Sequence, residues 1–189
     1  MTHTEAMEKL ADKTLDIMEI EAIYRDFKED KEIQNAIALN LSLRASVHEM
    51  SESKSKIVTE LLKSLANSTE MSVRWTVAKN KNTPIVTLKE LSMDKVNLVR
   101  ALVATNPNTP TDILQKFFND EKIVRDGLSG NPSTPPKYLS ILADDSDAMV
   151  RLRLVENPSC TDTILEKLSK DSATNVRQAA LSRLTRIKQ

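Results

Sequence analysis

The chain is poor in the residues that usually carry chemistry. One cysteine in 189 residues, Cys160, excludes a disulfide framework and any zinc or cluster site built from several thiolates. The two histidines, His3 and His48, lie in polar stretches and read as surface residues. Glycine occurs twice, at Gly127 and Gly130, and aromatics make up 3%, so the core must be built from Leu, Val, Ile and Ala. No apolar run reaches the roughly 18 residues a membrane span requires. The start, Met1-Thr2-His3-Thr4-Glu5, has neither a charged nor an apolar leader segment, so a cytoplasmic location is expected. No glycine-rich phosphate loop, nucleophile elbow or evident carboxylate pair is found. The expectation is a non-enzyme with no catalytic residue, no metal and no cofactor. Charge of one sign is also lacking: Lys+Arg and Asp+Glu are both 27. That removes the overall basicity of a dedicated nucleic-acid binder. The balance conceals a mild polarity, with 14 acids and 9 bases in residues 1–70 against 13 and 18 in residues 71–189.

What is present is a repeat. Val73-Arg74, Val99-Arg100, Val124-Arg125, Val150-Arg151 and Val176-Arg177 recur at intervals of 26, 25, 26 and 26 residues. Six residues after each of the first four arginines stands an asparagine: Asn80, Asn106, Asn131, Asn157. Fourteen residues further on stands an aspartate: Asp94, Asp120, Asp145, Asp171. A fixed period of this length marks a stacked array of small helical units. The interval from aspartate to the next arginine is 6, 5, 6 and 6, so the one deletion falls between Asp120 and Val124, in a turn that can absorb it.

One unit shows the physics. Val99, Leu102 and Val103 share a face at i, i+3, i+4, which predicts a short amphipathic helix. Asn106 precedes Pro107, and a residue before proline is pushed out of the helical region, so the helix ends there. Thr109 is then expected to cap a second helix with Pro110 in its first position. That helix runs from Thr111 to Phe118, with Ile113, Leu114, Phe117 and Phe118 inward. Thr83-Pro84 and Thr134-Pro135 fit the same template. Cys160-Thr161 replaces Thr-Pro in the last unit and places Cys160 at an N-cap as a tolerated small residue. Helices of about seven to nine residues are marginal alone in water, so each unit must bury its stripe against its neighbours.

The ends deviate. Residues 4–28 read as one helix, and His48 to Lys56 as an insertion loop. Ile33, Ala36, Ile37, Ala38 and Asn40 resemble Val73, Thr76, Val77, Ala78 and Asn80, at a separation of 40 residues. Val176 to Lys188 reads as a capping helix with Gln178, Arg183 and Arg186 on an exposed outer face. The expected organisation is a divergent helical cap with degenerate repeats over residues 1–70 and a regular array with a C-terminal capping helix over 71–189.

The pattern V-R-x-x-V-A-x-N-P-x-T-P-x-x-x-L-x-x-L-x-x-D, over about residues 68–184, resembles the leucine-rich repeat variant family of bacteria. Its D-x(4–5)-V-R element also resembles HEAT repeats. The resemblance implies an all-α fold, a right-handed α-solenoid of short helix pairs. Members of the variant family can carry an iron–sulfur module held by clustered cysteines; this chain lacks them, so that activity is not carried over. HEAT and armadillo arrays bind proteins, and some HEAT-like relatives are DNA alkylation-repair glycosylases.

Several columns stand out as candidate sites. Arg100, Arg125, Arg151 and Arg177 with Asp94, Asp120, Asp145 and Asp171 read as a structural ladder of ion pairs, the alternative being phosphate binding. Arg74 has Ser68 where the others have aspartate, so Glu70 substitutes or Arg74 is free. Asn80, Asn106, Asn131 and Asn157 either satisfy helix-end backbone groups or, in the manner of the asparagine ladder of armadillo proteins, hold the backbone of an extended peptide. Trp75 either packs within the array or anchors an interface. Gly127 and Gly130, each costing about 1 kcal/mol in a helix, mark local weakness or a close approach. Lys79 and Lys81 open a series of array bases running to Lys188, interleaved with Asp112, Asp126, Asp144, Asp147 and Asp162. The leading expectation is a protein-binding scaffold whose partner is another protein. The alternatives are nucleic-acid backbone binding by the mildly basic array, with repair activity as a remote variant, and a structural subunit of a larger assembly.

Overall fold

The computed structural model describes residues 1–44 and 46–187. Lys188, assigned from sequence to the last helix, lies outside them. The described residues are all-α, with thirteen α-helices, two short 3₁₀ turns and no strand. The chain divides into two compact units, residues 1–108 and 109–189.

The first unit holds α1 (His3–Ala11), α2 (Ile17–Asp26), α3 (Lys31–Ser42), α4 (Glu52–Leu65), α5 (Met71–Lys79), α6 (Ile85–Leu91) and α7 (Asn97–Thr105). Helices α1, α3, α5 and α7 pack each on the next, and α2 packs on α4. The second unit holds α8 (Thr111–Lys116), α9 (Lys122–Gly130), α10 (Pro136–Leu142), α11 (Ala148–Glu156), α12 (Asp162–Leu168) and α13 (Thr174–Ile187). There α9, α11 and α13 pack in series, with α10 against α11 and α12 against α13. The repeating valines Val73, Val99, Val124, Val150 and Val176 are each 0% exposed. They carry the seams between successive first helices, where apolar burial contributes about 25 cal/mol per Å².

The segment expected as one helix over 4–28 is two. Asp12 Oδ1 accepts from the Thr14 N–H (2.8 Å) and hydroxyl (2.7 Å), which closes a turn. Asp16 Oδ1 then accepts from the Met18 N–H at 2.9 Å and caps α2. Local aspartate-to-backbone bonds of this kind compete with helix continuation. The expected loop at 48–56 is also revised. A 3₁₀ turn spans Val47–Glu49, Ser51 stands at the N-cap of α4, and Glu52 to Lys56 already belong to its start. Val58, Leu61, Leu62 and Leu65 are buried on one stripe of α4 and hold the helix against its neighbours, while its serines and lysines face solvent.

The prolines sit one position earlier than expected. Pro84, Pro110 and Pro135 occupy the N-caps of α6, α8 and α10, in extended conformation, and helices α6 and α8 begin at Ile85 and Thr111. The threonine before each proline is buried. Thr83 Oγ1 donates back to the Val77 carbonyl at 2.6 Å and Thr134 Oγ1 to Leu128 at 2.8 Å. Where proline is missing, the cap is a side chain. Thr161 Oγ1 accepts from the Ile164 N–H at 3.4 Å, so Cys160 lies one residue ahead of the cap rather than at it. Helix α8 ends at Lys116, and residues 117–119 continue as 3₁₀. No described helix is long and apolar enough to cross a membrane.

Candidate functional site

Two columns of the repeat prove to be internal fastenings. In the first, the guanidinium groups of Arg74, Arg125 and Arg151 each reach in two directions. Arg74 grips the Asp94 carboxylate through Nε (2.6 Å) and Nη2 (3.2 Å). Arg125 holds Asp145 at 2.7 and 3.1 Å, and Arg151 holds Asp171 at 2.7 and 2.8 Å. The pairing therefore runs twenty residues forward, not to the aspartate five or six residues ahead. To that earlier aspartate the arginine donates at the backbone instead. Nη1 of Arg100, Arg125, Arg151 and Arg177 meets the carbonyl of Asp94 (2.7 Å), Asp120 (2.8 Å), Asp145 (2.6 Å) and Asp171 (2.5 Å). Arg74 is not free and does not pair with Glu70. Its Nη1 donates to the Ser68 and Thr69 carbonyls at 3.0 and 3.1 Å, while Glu70 pairs with Lys31 at 2.6 Å.

Planar, bidentate pairing suits arginine and explains why lysine does not replace it in this column. Burial pushes the Asp94 carboxyl up, but bonds from Arg74 and the Val96 N–H outweigh it and hold the group below the ordinary carboxylate range. The same balance holds Asp145 down, with Arg125 and the Asp147 N–H as donors. The Arg151 guanidinium depresses Asp171, and Arg74, Arg125 and Arg151 are raised mainly by their aspartates.

In the second column, asparagine ends the first helix of each unit and folds the turn after it. Oδ1 of Asn80, Asn106, Asn131 and Asn157 accepts from the N–H two residues on, at 2.8, 3.0, 2.8 and 2.8 Å. The amide nitrogen then ties one unit to the one before it. Asn106 Nδ2 donates to the Ala78 and Asn80 carbonyls at 2.8 and 3.0 Å. Asn157 Nδ2 donates to Ser129 and Asn131 at 2.7 and 2.9 Å. With both amide hydrogens used, Asn106 and Asn157 have none for an external peptide, and Asn131 is fully buried.

Two members of this column are easily overlooked. Asn40 Nδ2 makes the same pair of bonds, to the Leu10 and Asp12 carbonyls at 2.8 and 2.9 Å. Arg183, seven residues after Val176 as Asn80 is after Val73, donates Nη1 to the Val155 carbonyl and to that of Asn157 (2.6 Å). It is thus a fastening rather than an exposed outer-face residue. The column spacing carried both signals.

One member departs from the rule. Asn80 is buried, and its Nδ2 has no hydrogen-bond partner. Helix α3 runs two residues past Asn40, and the Asn40 carbonyl accepts from the Leu43 N–H at 3.2 Å.

A groove of about 960 Å³ lies at this same place in the first unit, and Leu39, Leu43, Trp75, Lys79, Asn80 and Lys81 are among the residues lining it. Trp75 is half-buried there, with Lys79 Nζ 5.5 Å from its ring centroid. The sequence alone singled out Trp75, Asn80, Lys79 and Lys81. It gave no sign of Leu39 and Leu43, whose partnership with residues some forty positions away depends on how α3 and α5 pack.

Elsewhere, Gly130 is a close-approach site rather than a weak point: a Cβ there would stand 2.7 Å from Arg153 Nε. Burial pushes the Cys160 thiol up to about 11, which leaves it a protonated packing residue. Among the described residues no group of three or more His, Cys, Asp or Glu side chains could hold a metal ion.

No family model and no curated protein matches the chain. Among solved structures, one described as "a leucine-rich repeat variant with a novel repetitive protein structural motif" is 20% identical. The match covers 89% of this chain and 86% of that one, with a TM-score of 0.36.

Proposed function

We propose that the chain is a non-enzymatic repeat scaffold that binds another protein. The observation that carries this reading is the groove of the first unit, where Leu39, Leu43 and Ile85 are 48%, 59% and 60% exposed beside half-buried Trp75. Single exposed aliphatics are ordinary, but several gathered with an aromatic on one concave surface mark a site of association. Nucleic-acid backbone binding draws less support, because several bases of the second unit are engaged within the chain. Arg125 and Arg151 are bound to aspartates and Arg183 to carbonyls, while Lys122 pairs with Asp147 at 3.1 Å and Lys167 with Asp144 at 2.6 Å.

The test is selection of displayed random peptides of about 12 residues against the full chain, a length that reaches along such a groove. Saturable binding by the enriched peptides is expected. Failure of any peptide to enrich, together with saturable binding of a single-stranded oligonucleotide, contradicts the scaffold reading.

A further inference from the structure

We infer that the groove of the first unit receives an acidic peptide segment carrying interspersed aliphatic side chains. This rests on the scaffold reading and names the partner's chemistry. The lining includes Arg44, Lys79 and Lys81 but no aspartate or glutamate. That sign is local rather than a background property, since residues 1–108 carry 16 acids and 15 bases. Arg44 is partly committed, with Nε on Asn40 Oδ1 at 2.9 Å and Nη2 on the Leu15 carbonyl at 2.5 Å. Lys79 and Lys81 are exposed, and neither is paired with a carboxylate among the described residues. Two ammonium groups without a carboxylate partner, on an apolar-edged groove, are complementary to carboxylates on an apolar-studded ligand.

The volume is at the upper end of the roughly 300–1,000 Å³ usual for ligand sites. It has room for several side chains. The apolar part is aliphatic, from Leu39, Leu43 and Ile85, with one half-buried aromatic, Trp75. Nucleic-acid strands need aromatic platforms for their bases, whereas leucine-like side chains fit an aliphatic wall. The rung is also the one at which the asparagine amide makes no tie. Asn80 Nδ2 is unpaired where Asn40 and Asn106, the other rungs of this unit, each hold two carbonyls.

Trp75 is the chain's one tryptophan, so its emission reports directly on the groove. The experiment sequences the peptides enriched by display and titrates the strongest, as a synthetic peptide, into the full-length chain. The wild type and a Lys79→Glu/Lys81→Glu double variant are followed by Trp75 fluorescence and by calorimetry. Expected are peptides rich in Asp or Glu with Leu or Ile, a shift of Trp75 emission, weakening by added salt, and a loss of about 20-fold in affinity in the double variant. Both lysines are exposed, so the variant should still unfold in one cooperative transition, with a small fall in midpoint from the reversed charge in the last turn of α5. Neutral or basic enriched peptides overturn the inference. So do acidic peptides that leave Trp75 emission unchanged and bind the double variant equally well; the scaffold reading survives both results. An oligonucleotide that shifts Trp75 emission when no peptide is enriched overturns the two together.

Discussion

At the scale of single residues, the same asparagine does different work according to what faces it. Asn157 closes a turn with Oδ1 and binds two carbonyls of the preceding unit with Nδ2. Asn80 closes its turn in the same way but leaves a buried donor unpaired. A buried hydrogen bond contributes about 1 kcal/mol net, and stranding its partners costs more, whereas removing an unsatisfied donor relieves a penalty of about 1–3 kcal/mol. Asn157→Ala should therefore destabilise the chain by about 2 kcal/mol more than Asn80→Ala, although both sit in the same column. Urea unfolding of the two variants checks this, and equal losses would show that the inter-unit amide bonds carry little.

At the scale of elements, the arginine of α5, α9 or α11 fastens the turn that follows the second helix of its own unit and also touches the turn before its own helix. Breaking one partner of a buried pair leaves an uncompensated charge and costs about 3 kcal/mol. Arg151→Met is expected to lose about that much at neutral pH, because Asp171 loses its main charged partner. The depressed carboxyls Asp94, Asp145 and Asp171 bind protons less readily folded than unfolded. Their contribution is present above the unfolded value near pH 4 and is lost as pH falls through the folded values. The wild type should thus lose stability below about pH 4, and Arg151→Met should show a shallower fall there. Parallel acid-titration curves for the two would contradict the pairing.

The helices of residues 71–187 were legible because valine, asparagine and aspartate recur at fixed spacing. The forward pairing was written in the same intervals, as Arg74 and Asp94 are twenty apart like Arg151 and Asp171. The break between α1 and α2 was not legible, because Asp12 and Thr14 interrupt a pattern whose apolar residues otherwise continue in phase. Nor was the start of α4, whose first turn is all polar and is helical through the burial of Val58 and Leu61 further on. The groove escaped sequence reasoning because Leu39 and Leu43 meet Trp75 and Lys79 only through the packing of α3 on α5, and Ser42 carries no signal that distinguishes one more turn from a loop.

At the scale of the whole molecule, the balance of charge and the scarcity of glycine and aromatics suit an array in which every unit is made stable by the next. Within each of the two units, first helices of 9 to 14 residues pack in series, and the repeating valines of α5, α7, α9, α11 and α13 are fully buried. Helices of that length are marginal alone, and in such arrays stability is a sum of units and the interfaces between them. Opening one fastening should therefore loosen two helices, not one. Hydrogen exchange of the Asn157→Ala variant tests this most directly. Asn157 ends α11, but its amide holds the C-terminal carbonyls of α9. Faster exchange is expected at the C-terminal turns of both α9 and α11. Acceleration confined to α11 and the turn after it, with α9 unchanged, would contradict it.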